Sequence, residues 1–386
     1  MTAEGTQGTP DVVEDVFEGM ATGVEVEAPD ADAPAIQRPW NPEEIRVNTS
    51  QFSLRNILDQ IDEGSLELAP DFQRGRVWRP EQKSLLVESL LLKIPLPAFY
   101  FAEDSDTAFH VVDGLQRLST LHDFVRGEDT RFSLKGLEYV KGADGKYFSD
   151  LPVQWQRRIY NTQLVVNVID PTATPDVMYD IFKRINTGGT PLNAQEIRHC
   201  MSKSRSREIL KRMTHTDEFS MATNGLTDHI RMDDREMALR FSAFWLLGIE
   251  RYFEQPVMES FLMHTTRLLD DPEKLPDSTV RELEETFKSA MINAYTIFGD
   301  HTFRKWPRGS VRRSPINRAL FETWSIAVAK SERDDLERRR NDIRHAAQAR
   351  MTHDIRYLDA ITSSTSDRRR VAYRFRAAAE DAEAGR

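Results

Sequence analysis

The stretch Phe109-His110-Val111-Val112-Asp113-Gly114-Leu115-Gln116-Arg117-Leu118-Ser119-Thr120-Leu121 decides how the first half of this chain folds. Phe109 to Val112 reads as a short strand broken at Asp113-Gly114. From Leu115 the period changes: Leu115, Leu118, Leu121 and Val125 share a helical face, and Gly127 can close the helix. A strand that turns straight into a helix aims first-turn N–H groups and the positive end of the helix dipole at one point, which suits an anion such as phosphate. Gln116 and Arg117 add donors, the arginine as a two-pronged fork. Asp113, at the strand end, is placed to hold a magnesium ion or polarise a water. The same residues allow a plainer reading, in which Asp113 caps the helix and Arg117 pairs with a surface acid.

Two other polar stretches flank this one. Pro70-Asp71-Phe72-Gln73-Arg74-Gly75-Arg76-Val77-Trp78 precedes it, and there Gln73 and Arg74 can reach a base or phosphate while Trp78 packs in the core. Phe182-Lys183-Arg184-Ile185-Asn186-Thr187-Gly188-Gly189-Thr190-Pro191-Leu192 follows it. Gly188-Gly189 lets the backbone take positive φ beside a ligand, and Asn186 tolerates the left-handed region itself. A nest of N–H groups before a capped helix suits phosphate, and an ordinary link with glycine as C-cap fits the same letters.

The surroundings mix strand and helix. Pro80 opens an apolar helix through Leu85, Leu86, Leu90 and Leu92, which Ile94-Pro95-Leu96-Pro97 stops. Strands are expected at 98–102 and 164–169, a helix from Thr174-Pro175 to Ile185, and another started by Asn193 with Glu196 three residues on. Beyond Cys200 strand signals vanish. Helical patterns run over 233–253, 259–269, 279–298, 315–330, 332–351 and 368–382. The expectation is an α+β domain over 39–200 and an all-α domain over 201–386.

Composition bounds the rest. The 386 residues carry a formal charge of −10, but nine acids (Glu4, Asp11, Glu14, Asp15, Glu18, Glu25, Glu27, Asp30, Asp32) stand in residues 1–37 with no lysine or arginine. The remainder is close to neutral. Rich in Gly, Pro, Ala and acid, residues 1–38 are expected to be a disordered tail. Such a tail serves as a solubiliser, or mimics nucleic acid, or occupies a basic groove. One cysteine excludes an internal disulfide and a cysteine-rich zinc site, and no run approaches eighteen apolar residues. With no secretion signal visible, the chain reads as a soluble cytoplasmic protein. No P-loop, no zinc-type histidine pair, no nucleophile elbow and no His-Asn-His nuclease pattern is present.

Taken together, the three stretches resemble the N-terminal domain family of the GmrSD-type modification-dependent restriction proteins. That family shows a Pro-x-aromatic-Gln-Arg-x-x-x-Trp segment, an Asp-Gly-x-Gln-Arg-Leu-Ser/Thr-Thr motif and a Phe-x-x-Ile-Asn-x-x-Gly-x-x-Leu segment, all present here in order between about Ser50 and Cys200. The resemblance implies a ParB/sulfiredoxin-like fold. The ParB Gly-Glu-Arg-Arg box then falls on Gly114, Leu115, Gln116 and Arg117. The ParB Glu-Asn box runs from Ile185 to Glu196, keeping Asn186, Leu192 and Glu196 but losing its first glutamate. Leu115 also departs from the family's usual Asp-Gly-Gln-Gln-Arg.

What the family implies is a nucleoside triphosphate bound with Mg²⁺ and hydrolysed in defence against phage, with a separate nuclease or effector chain and with DNA as partner. Asp113, Gln116 and Arg117 would be catalytic. Gln73, Arg74, Gly114, Asn186, Gly188 and Gly189 would hold the nucleotide, and Asp113 with Asn186 the metal. A non-catalytic DNA-binding or regulatory subunit with a vestigial pocket is the alternative. For DNA, Arg304, Lys305, Arg308, Arg312 and Arg313 form a basic run without an acid, interleaved with Trp306, and Arg198 to Arg212 form another. Either run can equally be a solvated face or the complement of the acidic tail.

Overall fold

The structure, a computed structural model, describes residues 12–17, 19–27, 46–68, 78–103, 109–170, 175–185, 192–254 and 257–386. Two units emerge: residues 38–201, and residues 202–386 together with 1–37. The acidic N-terminal segment therefore belongs to the helical unit. Over residues 12–27 the expected disorder does not hold, because Glu14–Phe17 (β1) and Met20–Glu25 (β2) form an antiparallel hairpin. Local composition gave no core for it. Its side-chain partners lie between 207 and 338 positions away.

The 38–201 unit is α+β. In chain order it runs β3 (Val47–Ser53), α1 (Leu54–Asp62), β4 (Leu66–Glu67), α2 (Pro80–Leu91), β5 (Phe99–Glu103), β6 (Phe109–Asp113), α3 (Leu115–Val125), α4 (Val153–Tyr160), β7 (Gln163–Ile169), α5 (Pro175–Ile185) and α6 (Ala194–Met201). The strands make one sheet in the order β3-β7-β5-β6-β4. Within it β5 runs parallel to β7 and antiparallel to β6, while β3 closes one edge antiparallel to β7. β5, β6 and β7 fall where the sequence puts strands. β3 was not foreseen because Val-Asn-Thr-Ser-Gln-Phe-Ser has no apolar alternation; it is an edge strand held by seven residues of register against β7.

Leu54, Ile57, Leu58, Val87, Leu90, Phe99, Phe101, Val111, Leu118, Leu121, Leu164 and Val166 make the core of this unit. Glu88 sits among them, buried, and its carboxylate accepts the N–H groups of Glu138 (3.0 Å), Tyr139 (2.7 Å) and Val140 (2.7 Å). Burial alone would raise its pKa, but those three donors bring it below the usual glutamate value.

Besides the hairpin, the other unit is a bundle of helices: α7 (Ser204–Thr214), α8 (Asp217–Thr223), α9 (Asp233–Glu254), α10 (Met258–Asp270), α11 (Asp277–Phe298), α12 (Arg318–Val328), α13 (Arg333–His353), α14 (Ile355–Ala360) and α15 (Arg368–Ala382). The long patterns read from sequence correspond to α9 through α13 and to α15, whereas the short α7, α8 and α14 were not anticipated. α9 is kinked at Gly248, whose φ of 76° and ψ of 167° interrupt the helix. Phe219, Phe241, Phe287, Phe321 and Trp324 anchor the bundle core. No helix of the described residues is long and apolar enough to cross a membrane.

Candidate functional site

β6 ends at Asp113, which lies opposite Tyr100 of β5 beside an irregularity in the register. The chain then turns through Gly114 at φ +98°. A Cβ there would stand 2.3 Å from Phe99 Cδ1, so glycine is demanded by both the backbone and the space. Gly114 is the N-cap of α3 and supplies no side-chain cap. The first-turn N–H groups of α3 therefore open toward the strand end without the hydroxyl or carboxylate that usually meets them. The junction read from sequence is present, and among the described residues no side chain caps its helical end.

Arg117 is more committed than the sequence reading allowed. Its Nη2 donates to Asp113 Oδ2 at 2.8 Å and to the carbonyl of Ala98 at 3.2 Å, and its Nη1 donates to the carbonyl of Pro97. The guanidinium lies 4.3 Å over the ring of Phe99. Burial draws its pKa below the ordinary arginine value, against the opposing pull of Asp113. In this arrangement Arg117 ties the start of β5 to the end of β6. In the plainer sequence reading Asp113 caps the helix; instead Gly114 is the N-cap and Asp113 is paired with Arg117.

Gln116, half-buried on the first turn, has no hydrogen-bond partner for its amide among the described residues, so its two donors and one acceptor are available. Leu115 points into the core, 8% exposed. The position where this chain departs from the family pattern thus serves packing.

α5 and α6, which bracket the third sequence stretch, both pack against β6. At the start of α6 Asn193 and Glu196 cap each other: the Glu196 N–H donates to Asn193 Oδ1 at 2.8 Å, and the Asn193 N–H donates to Glu196 Oε2 at 2.6 Å. Gln195, Glu196, Arg198 and His199 are all buried, and Arg198 Nε donates to Gln195 Oε1 at 3.0 Å. Glu196 was legible as the cap, but the burial of Gln195, Arg198 and His199 beside the Asp113 strand was missed from sequence. Periodicity could not find them, because α6 is buried all round and shows no polar stripe. Gln73, Arg74, Asn186, Gly188 and Gly189 lie outside the described residues. Among the described residues no three His, Cys, Asp or Glu side chains converge in a way that could hold a metal ion.

The basic run of the helical unit divides. Arg304 and Lys305 are buried, 6% and 4% exposed. Arg304 donates to the carbonyls of Thr302 and Thr223, and burial followed by repulsion from Arg313 lowers its pKa to about 10. Lys305 donates to Glu25 and Thr362. Neither can meet a phosphate, so both leave the expected DNA surface. Arg308, Arg312 and Arg313 stay exposed on the loop before α12. The other run is largely spent inside the protein: Arg198 and Arg207 are buried, Arg205 binds the carbonyls of Leu269 and Leu275 with Asp277, and Arg212 pairs with Glu284.

Residues 54–202 match the family model described as GmrSD restriction endonuclease, N-terminal domain. No curated protein matches the chain.

Proposed function

We propose that residues 54–202, which match the family model described as GmrSD restriction endonuclease, N-terminal domain, bind a nucleoside triphosphate with Mg²⁺ and hydrolyse it to gate a restriction or phage-defence response acting on DNA. The observation that carries the reading is the uncapped start of α3 directly after Asp113. Backbone N–H groups of Leu115, Gln116 and Arg117, with the unpartnered Gln116 amide, receive phosphate oxygens there. Gly114 lets the ligand approach the backbone. Arg117 acts as a positioning residue, holding Asp113 and the start of β5 in register.

The donor set suits magnesium bound through its nucleotide. One carboxylate, Asp113, is what a hydrated Mg²⁺ carried on phosphates asks of a protein, and a cage of three acids is not needed. Asp113 would hold the ion or orient the attacking water, and Mg²⁺, when bound, would supply charge neutralisation between the β- and γ-phosphates. Gln73, Arg74, Asn186, Gly188 and Gly189 complete the nucleotide site in this proposal.

Calorimetric binding and phosphate release, with the four common triphosphates and with and without Mg²⁺, test the reading. Metal-dependent turnover lost in Asp113→Ala, with affinity weakened in Gln116→Ala, is the expected result. Folded protein that neither binds nor turns over any triphosphate, with or without DNA, overturns it. That outcome would favour a non-catalytic DNA-binding or regulatory subunit working with a separate nuclease. One observation already speaks for this second reading: the Asp113 carboxylate is engaged by Arg117 at 2.8 Å.

A further inference from the structure

The hairpin of residues 12–27 is held in the helical unit by a set of contacts that reads as recognition of a peptide. Backbone pairing comes first: Glu25 N–H donates to the Ile316 carbonyl and Ile316 N–H to the Gly23 carbonyl, each at 2.8 Å, so Val24 and Ile316 form a parallel bridge. Two carboxylates are then read separately. Glu25 receives Lys305 Nζ at 2.5 Å and Asn317 Nδ2 at 3.0 Å, and its carbonyl receives Arg318 Nη1 at 3.1 Å. Glu27 receives Arg240 Nη2 at 2.9 Å and the Thr365 hydroxyl at 2.7 Å. His229 Nε2 lies 3.0 Å from the Thr22 carbonyl.

These groups come from the loop before α9, from α9, from the loop and first turn of α12, and from the loop before α15. Lys305 and Arg240 are buried cations, and among the described residues Glu25 is the one carboxylate paired with Lys305. The apolar share is small by comparison. Of the hairpin's large apolar side chains only Phe17 and Val24 are buried, while Val12, Val13, Val16, Met20 and Val26 are exposed. A segment built into a core shows the reverse proportion. Strand addition for affinity, with side-chain sites for specificity, is how extended peptides dock.

We infer that the helical unit carries a peptide-binding slot for an extended segment of the pattern apolar-acid-x-acid. Val24-Glu25-Val26-Glu27 fills it in cis, and the same pattern supplied in trans displaces that segment. The slot's ligand class is an acidic peptide, and its cations select against neutral ones.

The test uses the full chain with a protease site placed within residues 28–45. After cleavage, a fluorescent peptide of residues 12–27 should exchange with the resident segment, faster as salt rises. A peptide carrying Glu25→Gln and Glu27→Gln should compete roughly 30-fold more weakly, or worse. A folded, cleaved protein that takes up no labelled peptide overturns the inference, and so does a glutamine peptide that competes equally. Should cleavage unfold the unit, amide exchange on the uncut chain decides. Val24 and Glu25 amides that open well before those of α12, and sooner at high salt, support an exchangeable ligand; equal protection overturns it.

Discussion

Gly114 concentrates the demands of the candidate site in one residue. Gly114→Ala would hold an L-residue at φ +98° and drive a Cβ to within 2.3 Å of the Phe99 ring. A loss of about 1–3 kcal/mol is expected from the backbone alone, read as a lower urea midpoint. Phe99→Ala in the same chain should relieve the clash but not the φ. Arg117→Met should also destabilise, by about 1–3 kcal/mol, because it strips donors from the carbonyls of Pro97 and Ala98. Nucleotide affinities of that variant are meaningful only per folded molecule. The Asp-Gly turn and the four-residue spacing of Asp113 and Arg117 were legible in sequence. The position of Phe99 beneath the guanidinium was not, since it depends on β5 and β6 pairing.

Among elements, α12 and α15 carry the sharpest electrostatic dependence. Glu322 and Arg374 are fully buried and paired, and Arg240 of α9 donates to the same carboxylate at 3.2 Å. Glu322→Gln keeps the shape and removes the charge that two buried guanidinium groups face. A cost of about 3–5 kcal/mol is expected, measurable by chemical denaturation. The helical pattern around Glu322 was plain from sequence. That Arg374, 52 residues on, would meet it was not, because a buried ion pair leaves no periodic trace. The same holds for α6, whose capping pair Asn193 and Glu196 was legible while its buried Gln195, Arg198 and His199 were not. On the loop before α12, Arg312→Ala with Arg313→Ala should lower the salt slope of DNA binding by about 2. An unchanged slope removes that loop from the DNA reading.

For the molecule as a whole, pH reports on the hairpin and its slot. Burial alone would raise the Glu27 and Asp233 carboxyls, but Arg240 and Arg318 respectively, with their further partners, pull each down to about 2. Their contribution is complete above the ordinary carboxyl values of 4.5 and 3.8 and is lost as pH falls toward 2. His229 runs the other way. Burial opposes its charge, yet Asp233 and Asp234 raise its pKa above 6.5, so its contribution is full below 6.5 and fades as pH climbs through the raised value. Asp234, pushed up chiefly by burial, offsets part of the acid loss. Urea midpoints across pH 2–9 should therefore peak between about pH 4.5 and 6.5. The two-part organisation was legible in the loss of strand signals after Cys200. The basic run containing Lys305 was open to being the complement of the acidic tail, and Lys305 does meet Glu25 280 positions away; the partner of Glu27, Arg240 at 213 positions, and the hairpin itself were not legible.

That separation also sets an order of events during synthesis. Glu27 is polymerised 338 residues before Thr365, which completes its site. At about 5–20 residues per second, the hairpin waits roughly 20–70 s with its acids in water while the sheet unit folds behind it. A ribosome stalled before Ile316 would carry a chain whose second strand has no backbone to pair with, and that strand would be open to protease until translation resumed.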